Sequence, residues 1–352
     1  MTAAPFVDRA RSARCPLPRA DSRCDWISVG ALADPDRRLK VRQAQTKPLT
    51  LMTWNMEWLI APADERELRA RCQRQQPASD ERAVPCTPGR KPPPLRSGAD
   101  FDALAAVARR AAALPGDVVV ALQEVDGPQA ASQVFRQGWA LDCFTPRAHP
   151  QKVGFAIRQG VPYRCNPPLQ ALDIDGRTRG GADITLYPNT KYAVRLLAVH
   201  LKSGCFDGAL DREFDPCGKL RQQVPVIETW VDTRVREKQH FAVLGDFNRH
   251  LDRDARLAAG PDEAAPLALM DAISDDRPVG AVLYPATNKQ VYVPCTSKEK
   301  HSRYIDDVLM SQSLRFATSR VRFTRLPYTL EEEKRLVSDH CPLGVQLDNM
   351  AP

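Results

Sequence analysis

The feature that most limits how this chain can fold is a recurring one. In six places an apolar run of strand length meets an acid, an amide or an imidazole at one end. Leu49 to Trp54 runs into Asn55, Val118 to Leu122 into Gln123-Glu124, and Tyr192 to Val199 into His200. Phe241 to Leu244 runs into Gly245-Asp246-Phe247-Asn248, Tyr304-Ile305 leads a strand through Asp306, and Asp339-His340 stands just before Leu343 to Leu347. Side chains alternate along an extended chain, so Asp246 and Asn248 point to one side and Phe247 to the other. A charge at a buried strand end is costly unless a partner or a metal compensates it. Each position has an ordinary reading taken alone: a turn at Asn55 or Gly-Asp-x-Asn, a surface arginine facing Glu124, a satisfied core histidine at His200, an ion pair at Asp306 or Asp339. Six independent accidents are a poorer account than one shared site.

Helix signals separate the strands. Asp100 caps a run whose apolar positions Phe101, Leu104, Ala105, Ala108 and Ala112 recur at three and four, and Leu114-Pro115-Gly116 stops it. Further helices are expected over Gln129 to Gln137 and Leu220 to Arg236, and a strand over Val153 to Ile157. The alternation lacks the regularity of parallel βαβ units, which favours mixed sheets with outer helices. No internal repeat is readable, though divergent halves leave room for two stacked sheets of similar build. Residues 1–47, rich in Arg, Pro and Asp, are expected to be an extension with little core of its own, ahead of a single catalytic domain over 48–350. Within it, residues 61–98 carry Cys72, Cys86 and Lys91-Pro92-Pro93-Pro94 and are expected to form a surface insertion.

Composition bounds the function class. At 352 residues, with 43% hydrophobic and 26% charged residues, the chain suits a globular protein with a sizeable core. Apolar runs stay under ten residues, too short for a membrane span, and no secretory h-region is visible near Met1. Of the net charge of +7, +5 falls on residues 1–49, so the charge balance is weak support for a polyanionic partner. Ten cysteines, mostly in loop-like sequence, fall into couples: Cys15 with Cys24, Cys72 with Cys86, Cys143 with Cys165, Cys205 with Cys217, and Cys295 with Cys341 over a longer range. No C-x-x-C and no zinc-spaced His/Cys cluster occurs. Disulfides would place the protein in the periplasm or outside the cell, and buried free thiols in the cytoplasm are the alternative. Spacing alone does not settle which cysteines pair.

Carboxylate and amide oxygens, with no thiol and few imidazoles, suit a hard cation, hence Mg²⁺ with Mn²⁺ as substitute. Two histidines remain for proton transfer and for hydrogen bonds to a phosphate.

In order, Trp54-Asn55-Met56-Glu57, Leu122-Gln123-Glu124-Val125, Val199-His200-Leu201, Gly245-Asp246-Phe247-Asn248, Tyr304-Ile305-Asp306 and Ser338-Asp339-His340-Cys341-Pro342 resemble the motif series of the endonuclease/exonuclease/phosphatase superfamily. DNase I, AP endonucleases, neutral sphingomyelinases and inositol polyphosphate 5-phosphatases belong to it. The resemblance implies a DNase I-like α/β fold, a four-layer αββα sandwich of two mixed sheets flanked by helices. It also implies roles: Glu124 as the main metal ligand with Asn55 and Asp339 beside it, and Asp246 and Asn248 near the attacking water, with one metal or two. His340, oriented by Asp306, would activate water or hold phosphate, and His200 would assist the leaving oxygen. Asp246 and His340 both stay open as the base.

Substrate is argued from loops. The 5-phosphatase signature is replaced by Ser302-Arg303-Tyr304-Ile305-Asp306-Asp307, the AP-endonuclease Thr-Lys by Val125-Asp126, and no long aromatic hairpin for membrane insertion is evident. The expectation is a Mg²⁺-dependent phosphodiester hydrolase, an endonuclease-like nuclease acting on nucleic acid as a monomer. Lys202, Arg249 and Arg177 (or Arg179) are available for phosphates. The alternative is a phosphodiesterase or phosphatase acting on a lipid head group or small phosphate ester, as sphingomyelinases do.

Overall fold

The computed structural model describes residues 47–73, 95–213, 215–254, 267–299 and 302–350. The extension expected over 1–47 lies, apart from Lys47, outside the described residues, as do Cys15, Cys24 and Cys86.

Two six-stranded sheets form the centre. The first runs β11 (Thr318–Arg325), β12 (Leu343–Met350), β1 (Leu49–Leu59), β2 (Asp117–Val125), β4 (Lys152–Arg158) and β3 (Trp139–Asp142). The second runs β5 (Tyr163–Cys165), β6 (Ala182–Leu186), β7 (Val194–His200), β8 (His240–Asp246), β10 (Asp306–Ser311) and β9 (Leu283–Pro285). Each sheet is antiparallel except for one central parallel pair, β1 with β2 and β7 with β8. The two halves therefore do share a build, one that sequence divergence conceals.

Alternation explains the layering. Leu49, Leu51, Val119, Ala121 and Phe155 of one sheet meet Ile184, Leu196, Ala198, Leu244 and Val308 of the other in a single buried cluster. The opposite face of the first sheet, through Met52, Val118, Val120 and Leu122, packs on α2 (Gly98–Ala112) by way of Phe101, Leu104, Val107 and Ala111. The opposite face of the second, through Leu197, Val199 and Val243, packs on α4 (Asp215–Arg236) by way of Leu220, Val224, Ile227 and Val231. Helix, sheet, sheet, helix is the expected four-layer order.

Some boundaries differ from the sequence reading. Asp100 sits inside α2 and accepts from the backbone N–H of Ser97, the true N-cap, at 2.7 Å. The expected insertion is not all loop, because Pro62–Gln73 forms helix α1 with acids in its first turn. The helix expected over Gln129 to Gln137 is only the short α3, Pro128–Ser132. Disulfides join Cys143 to Cys165, Cys205 to Cys217 and Cys295 to Cys341. Among the described residues, no helix is long and apolar enough to cross a membrane.

Gly245, at the end of β8, shows why a residue without a side chain precedes Asp246. A Cβ there would lie 2.0 Å from the carbonyl oxygen of Val199 on β7. Gly245→Ala is therefore expected to lower stability by about 3 kcal/mol, the upper range for overpacking. Gly218→Ala in α4, where a Cβ meets nothing within 4 Å, is expected to be neutral or to stabilise by about 0.5–1 kcal/mol. Urea unfolding of the two variants checks both.

Candidate active site

Strand register builds the site. Parallel pairing of β7 with β8 puts His200 beside Asp246, and antiparallel pairing of β8 with β10 puts Asp246 beside Asp306. Three ionisable side chains thus share one row of one sheet. Beyond Asp246 the alternation holds: Phe247 enters the core, while Asp246 and Asn248 line a hollow of about 610 Å³. Asn248 turns through a left-handed backbone (φ 51°), its N–H donating to Asp246 Oδ1 at 2.8 Å and its Nδ2 to the Leu201 carbonyl at 3.2 Å.

The facing sheet supplies Asn55 and Glu124. Strict alternation would send Glu124 outward with Leu122, but a left-handed backbone at Glu124 (φ 56°) swings it into the hollow. Its Oε1 lies 3.5 Å from Asn55 Nδ2 and 3.7 Å from His200 Nε2, and its Oε2 accepts the Trp58 N–H at 3.2 Å. Asn55 Nδ2 also donates to Asp246 Oδ2 at 3.0 Å, which bridges the two sheets. Glu57 and Trp58 are left-handed as well (φ 43° and 54°). Buried Arg96 holds this turn, donating to the carbonyls of Met56 and Trp58 at 3.2 Å and of Leu336 at 3.0 Å. Strained positions of this kind cost on the order of 1 kcal/mol each and persist only where surrounding contacts enforce them.

His340 arrives on the loop before β12, stitched to β1. Ser338 Oγ donates to the Asn55 carbonyl at 2.7 Å and accepts the His340 N–H at 3.0 Å, while Trp54 Nε1 donates to the His340 carbonyl at 3.1 Å. The His340 ring then meets Asp306 Oδ2 through Nδ1 at 2.7 Å. Carboxylate oxygens of Asp246 and Asp306 and a ring nitrogen of His340 all lie within 4.8 Å of one another. Asp339 stands at the rim, its side chain 65% exposed, with its N–H donating to Glu57 Oε2 at 3.1 Å.

Crowding sets the electrostatics. Burial, with Asp306 alongside, pushes the Asp246 carboxyl up to about 7, although His340 and Asn55 oppose the shift. Burial pulls His340 down, but Asp306, then Asp246 and Asp339, more than reverse this and hold it well above the ordinary histidine value. His200 is driven well below that value by burial and by the charges of Arg179, His340 and His149, so it is neutral. Among the described residues, its Nδ1 and the Oδ1 of Asp306 are buried without a hydrogen-bond partner.

Asn55, Glu124, His200, Asp246, Asn248, Asp306, Asp339 and His340, all anticipated from sequence, line this one hollow. The three expected phosphate contacts do not. Arg249 is completely buried and donates from Nε to Asp254 at 2.6 Å and from Nη1 to the Cys205 carbonyl at 3.0 Å, so it is a structural residue. Arg177 is exposed and outside the hollow, and Lys202 Nζ donates to the Ser203 carbonyl at 2.6 Å. Arg179, Arg303 and Arg325 do line the hollow, and Arg179 there hydrogen-bonds Gln151 through its guanidinium. Of these, Arg179 lies beside the carboxylates of Glu124 and Asp246. Burial lowers its pKa, and Glu124 and Asp246 counter that. In the sequence Arg179 stood only as the alternative to Arg177, because it precedes β6, a five-residue strand that carries no strong pattern.

A model of the Endonuclease/Exonuclease/phosphatase family matches residues 52–340. Similar solved structures include truncated TDP2 of Caenorhabditis elegans (14% identity, TM-score 0.49, covering 86% of this chain and 97% of that one). The 3'-5' exonuclease NExo of Neisseria meningitidis is also similar (18%, 0.46, 85% and 99%), as is the AP endonuclease LMAP of Leishmania major (14%, 0.47, 95% and 92%). No curated protein sequence matches the chain significantly.

Two outcomes test this geometry. In chelator-treated protein, Asp306→Asn is expected to lower the titration midpoint of His340, followed by NMR of the imidazole. The folded value in the parent protein lies above the ordinary 6.5, so the stability that the pair contributes is full below about pH 6.5 and is lost as pH rises through the folded value. Arg249→Ala, which strands Asp254 as a buried charge, is expected to cost about 3–5 kcal/mol in urea unfolding.

Proposed function

The chain belongs to the Endonuclease/Exonuclease/phosphatase family, and from that premise we propose that it is a divalent-metal-dependent phosphodiester hydrolase acting on nucleic acid. The observation that carries this reading is the convergence of Glu124, Asp246, Asp306 and His340 from separate strand ends and loops into one hollow. The donor set fits a hard cation. Carboxylates crowd there, Asp246 is pushed towards neutrality, and a buried oxygen of Asp306 lacks a hydrogen-bond partner among the described residues. Glu124, with Asn55 and Asp339 beside it, would hold Mg²⁺ or Mn²⁺, and the adjoining carboxylates of Asp246 and Asp306 offer oxygens for a second position. When bound, the cation offsets the negative charge that builds on a phosphorane-like state.

The chain's own residues supply the rest. His340, kept cationic by Asp306, suits gripping a phosphate oxygen as a charged donor. Asp246, with a carboxyl near 7, is poised to accept the proton of the attacking water at neutral pH. Asn248 and Asn55 fix that carboxylate. His200, neutral and with Nε2 3.6 Å from Asp246, suits donating a hydrogen bond to the leaving oxygen. Arg179 adds a positive charge for the phosphate in a hollow where burial strengthens the attraction. Asp246 therefore takes the part of base in this reading and His340 that of phosphate anchor. The three disulfides suit an oxidising compartment, the periplasm or the cell exterior.

The test sets supercoiled plasmid, RNA and bis(4-nitrophenyl) phosphate side by side, each with Mg²⁺, Mn²⁺ or EDTA. Cleavage of plasmid or RNA that EDTA abolishes is the expected result. Turnover of the small diester or of sphingomyelin with nucleic acid left intact would overturn the substrate. Asp246→Asn, His200→Ala and His340→Ala are each expected to lower kcat by about 10²–10⁴-fold, and Glu124→Gln to cost similarly and to raise the Mg²⁺ concentration required.

A further inference from the structure

On the rim of the same hollow lies a second histidine–carboxylate pair that the chemistry above does not use. His250 Nδ1 lies 2.9 Å from Asp207 Oδ1, and Arg253 Nη1 lies 3.1 Å from the other oxygen of Asp207. The Phe206 ring packs on the His250 ring at 6.1 Å with the planes tilted by 30°. Phe206 is nevertheless 39% exposed, an unusual setting for a large apolar ring beside a polar hollow. Phe206, Asp207 and His250 all line that hollow, and His250 follows Asn248 by two residues.

This rim is built to hold its shape. The His250 N–H donates to the Phe206 carbonyl at 2.9 Å. Arg249, with no exposed surface, reaches back to the carbonyls of Cys205 and Gly208, one on each side of Phe206-Asp207. The Cys205–Cys217 disulfide ties the same loop to α4. A fully buried arginine and a disulfide are thus committed to presenting one aromatic face and one anchored imidazole to the hollow. An ordinary surface ion pair needs neither.

We propose that Phe206 and His250 form a binding subsite for the nucleic-acid strand next to the scissile phosphate. His250 contacts the neighbouring phosphate and Phe206 stacks on the adjoining base. The assignment rests on the nucleic-acid reading above. In its imidazolium form, His250 donates one ring N–H to Asp207 and the other to a phosphate oxygen, a charge-assisted contact. Stacking on an aromatic ring is tolerant of base identity, so the subsite adds affinity for a strand without selecting its sequence. Asp207 is the positioning residue: it orients the ring and touches no substrate.

The test compares kcat/KM for a single-stranded oligonucleotide with kcat/KM for bis(4-nitrophenyl) phosphate, which carries no neighbouring phosphate and no base. His250→Ala and Phe206→Ala are each expected to lower the oligonucleotide-over-diester ratio roughly tenfold, within the range for lost base stacking or a lost phosphate contact, with the loss in KM for the oligonucleotide. His250→Arg, which places a permanently charged N–H donor at the same position, is expected to retain more of the ratio than His250→Ala. The salt dependence of oligonucleotide kcat/KM is expected to weaken in His250→Ala and to persist in Phe206→Ala. Ratios within twofold of the parent in both alanine variants would overturn the subsite, as would equal losses on both substrates. A parent enzyme that turns over the diester and leaves nucleic acid untouched would overturn the nucleic-acid reading, and the subsite with it. That outcome is visible before any variant is made.

Discussion

Asp246 and Asp306 sit directly opposite each other on neighbouring strands, a placement that like charges ordinarily destabilise. Most of the architecture around them manages that repulsion. Asn55 reaches across from the facing sheet to donate to Asp246, the backbone of Asn248 donates to its other oxygen, and His340 closes on Asp306. Glu124 adds a further carboxylate, brought in by a backbone turned left-handed at its own Cα. The result is a hollow in which the carboxylates of Glu124, Asp246 and Asp306 lie together beside His340 and Arg179, an arrangement that suits a site for a divalent cation and a phosphate.

The neutral and charged imidazoles follow from the same crowding. His340 faces Asp306 and is held cationic, while His200 faces Arg179 and His340 and is held neutral. Two histidines in one hollow are thereby separated in charge state, His200 by burial first and then by its neighbours, His340 by the carboxylates around it, as paired titratable groups in enzymes often are. The turn at Glu57-Trp58 and the loop before β12 are locked by buried Arg96 and by Ser338. These contacts fix Glu124 and His340 against the second sheet.

Much of this was legible in the sequence, for a physical reason. A buried strand is a continuous apolar run, so an acid or imidazole at its end stands out, and Asn55, Glu124, His200, Asp246, Asp306 and His340 all surfaced that way. What the pattern could not reveal was Glu124's route inward, because alternation points it to the other face. The short edge strands, Trp139–Asp142, Tyr163–Cys165 and Leu283–Pro285, are too brief to carry a period. Arginines were the weakest inference. A guanidinium looks the same in sequence whether it faces solvent, a phosphate or a carbonyl, and Arg249 proved to be a buried brace while Arg179 entered the hollow. Three of the cysteine couples suggested by spacing are joined in the fold.

The central claim is that side chains drawn from both sheets make one place for a hard divalent cation. Titration of chelator-stripped protein with Mn²⁺, following the free ion by electron paramagnetic resonance, tests it without reference to any substrate. Loss of free-ion signal in proportion to protein, reversed by Mg²⁺ and weakened in Glu124→Gln, is the predicted result. A free-ion signal that protein leaves unchanged, or uptake that Glu124→Gln does not alter, would contradict the account.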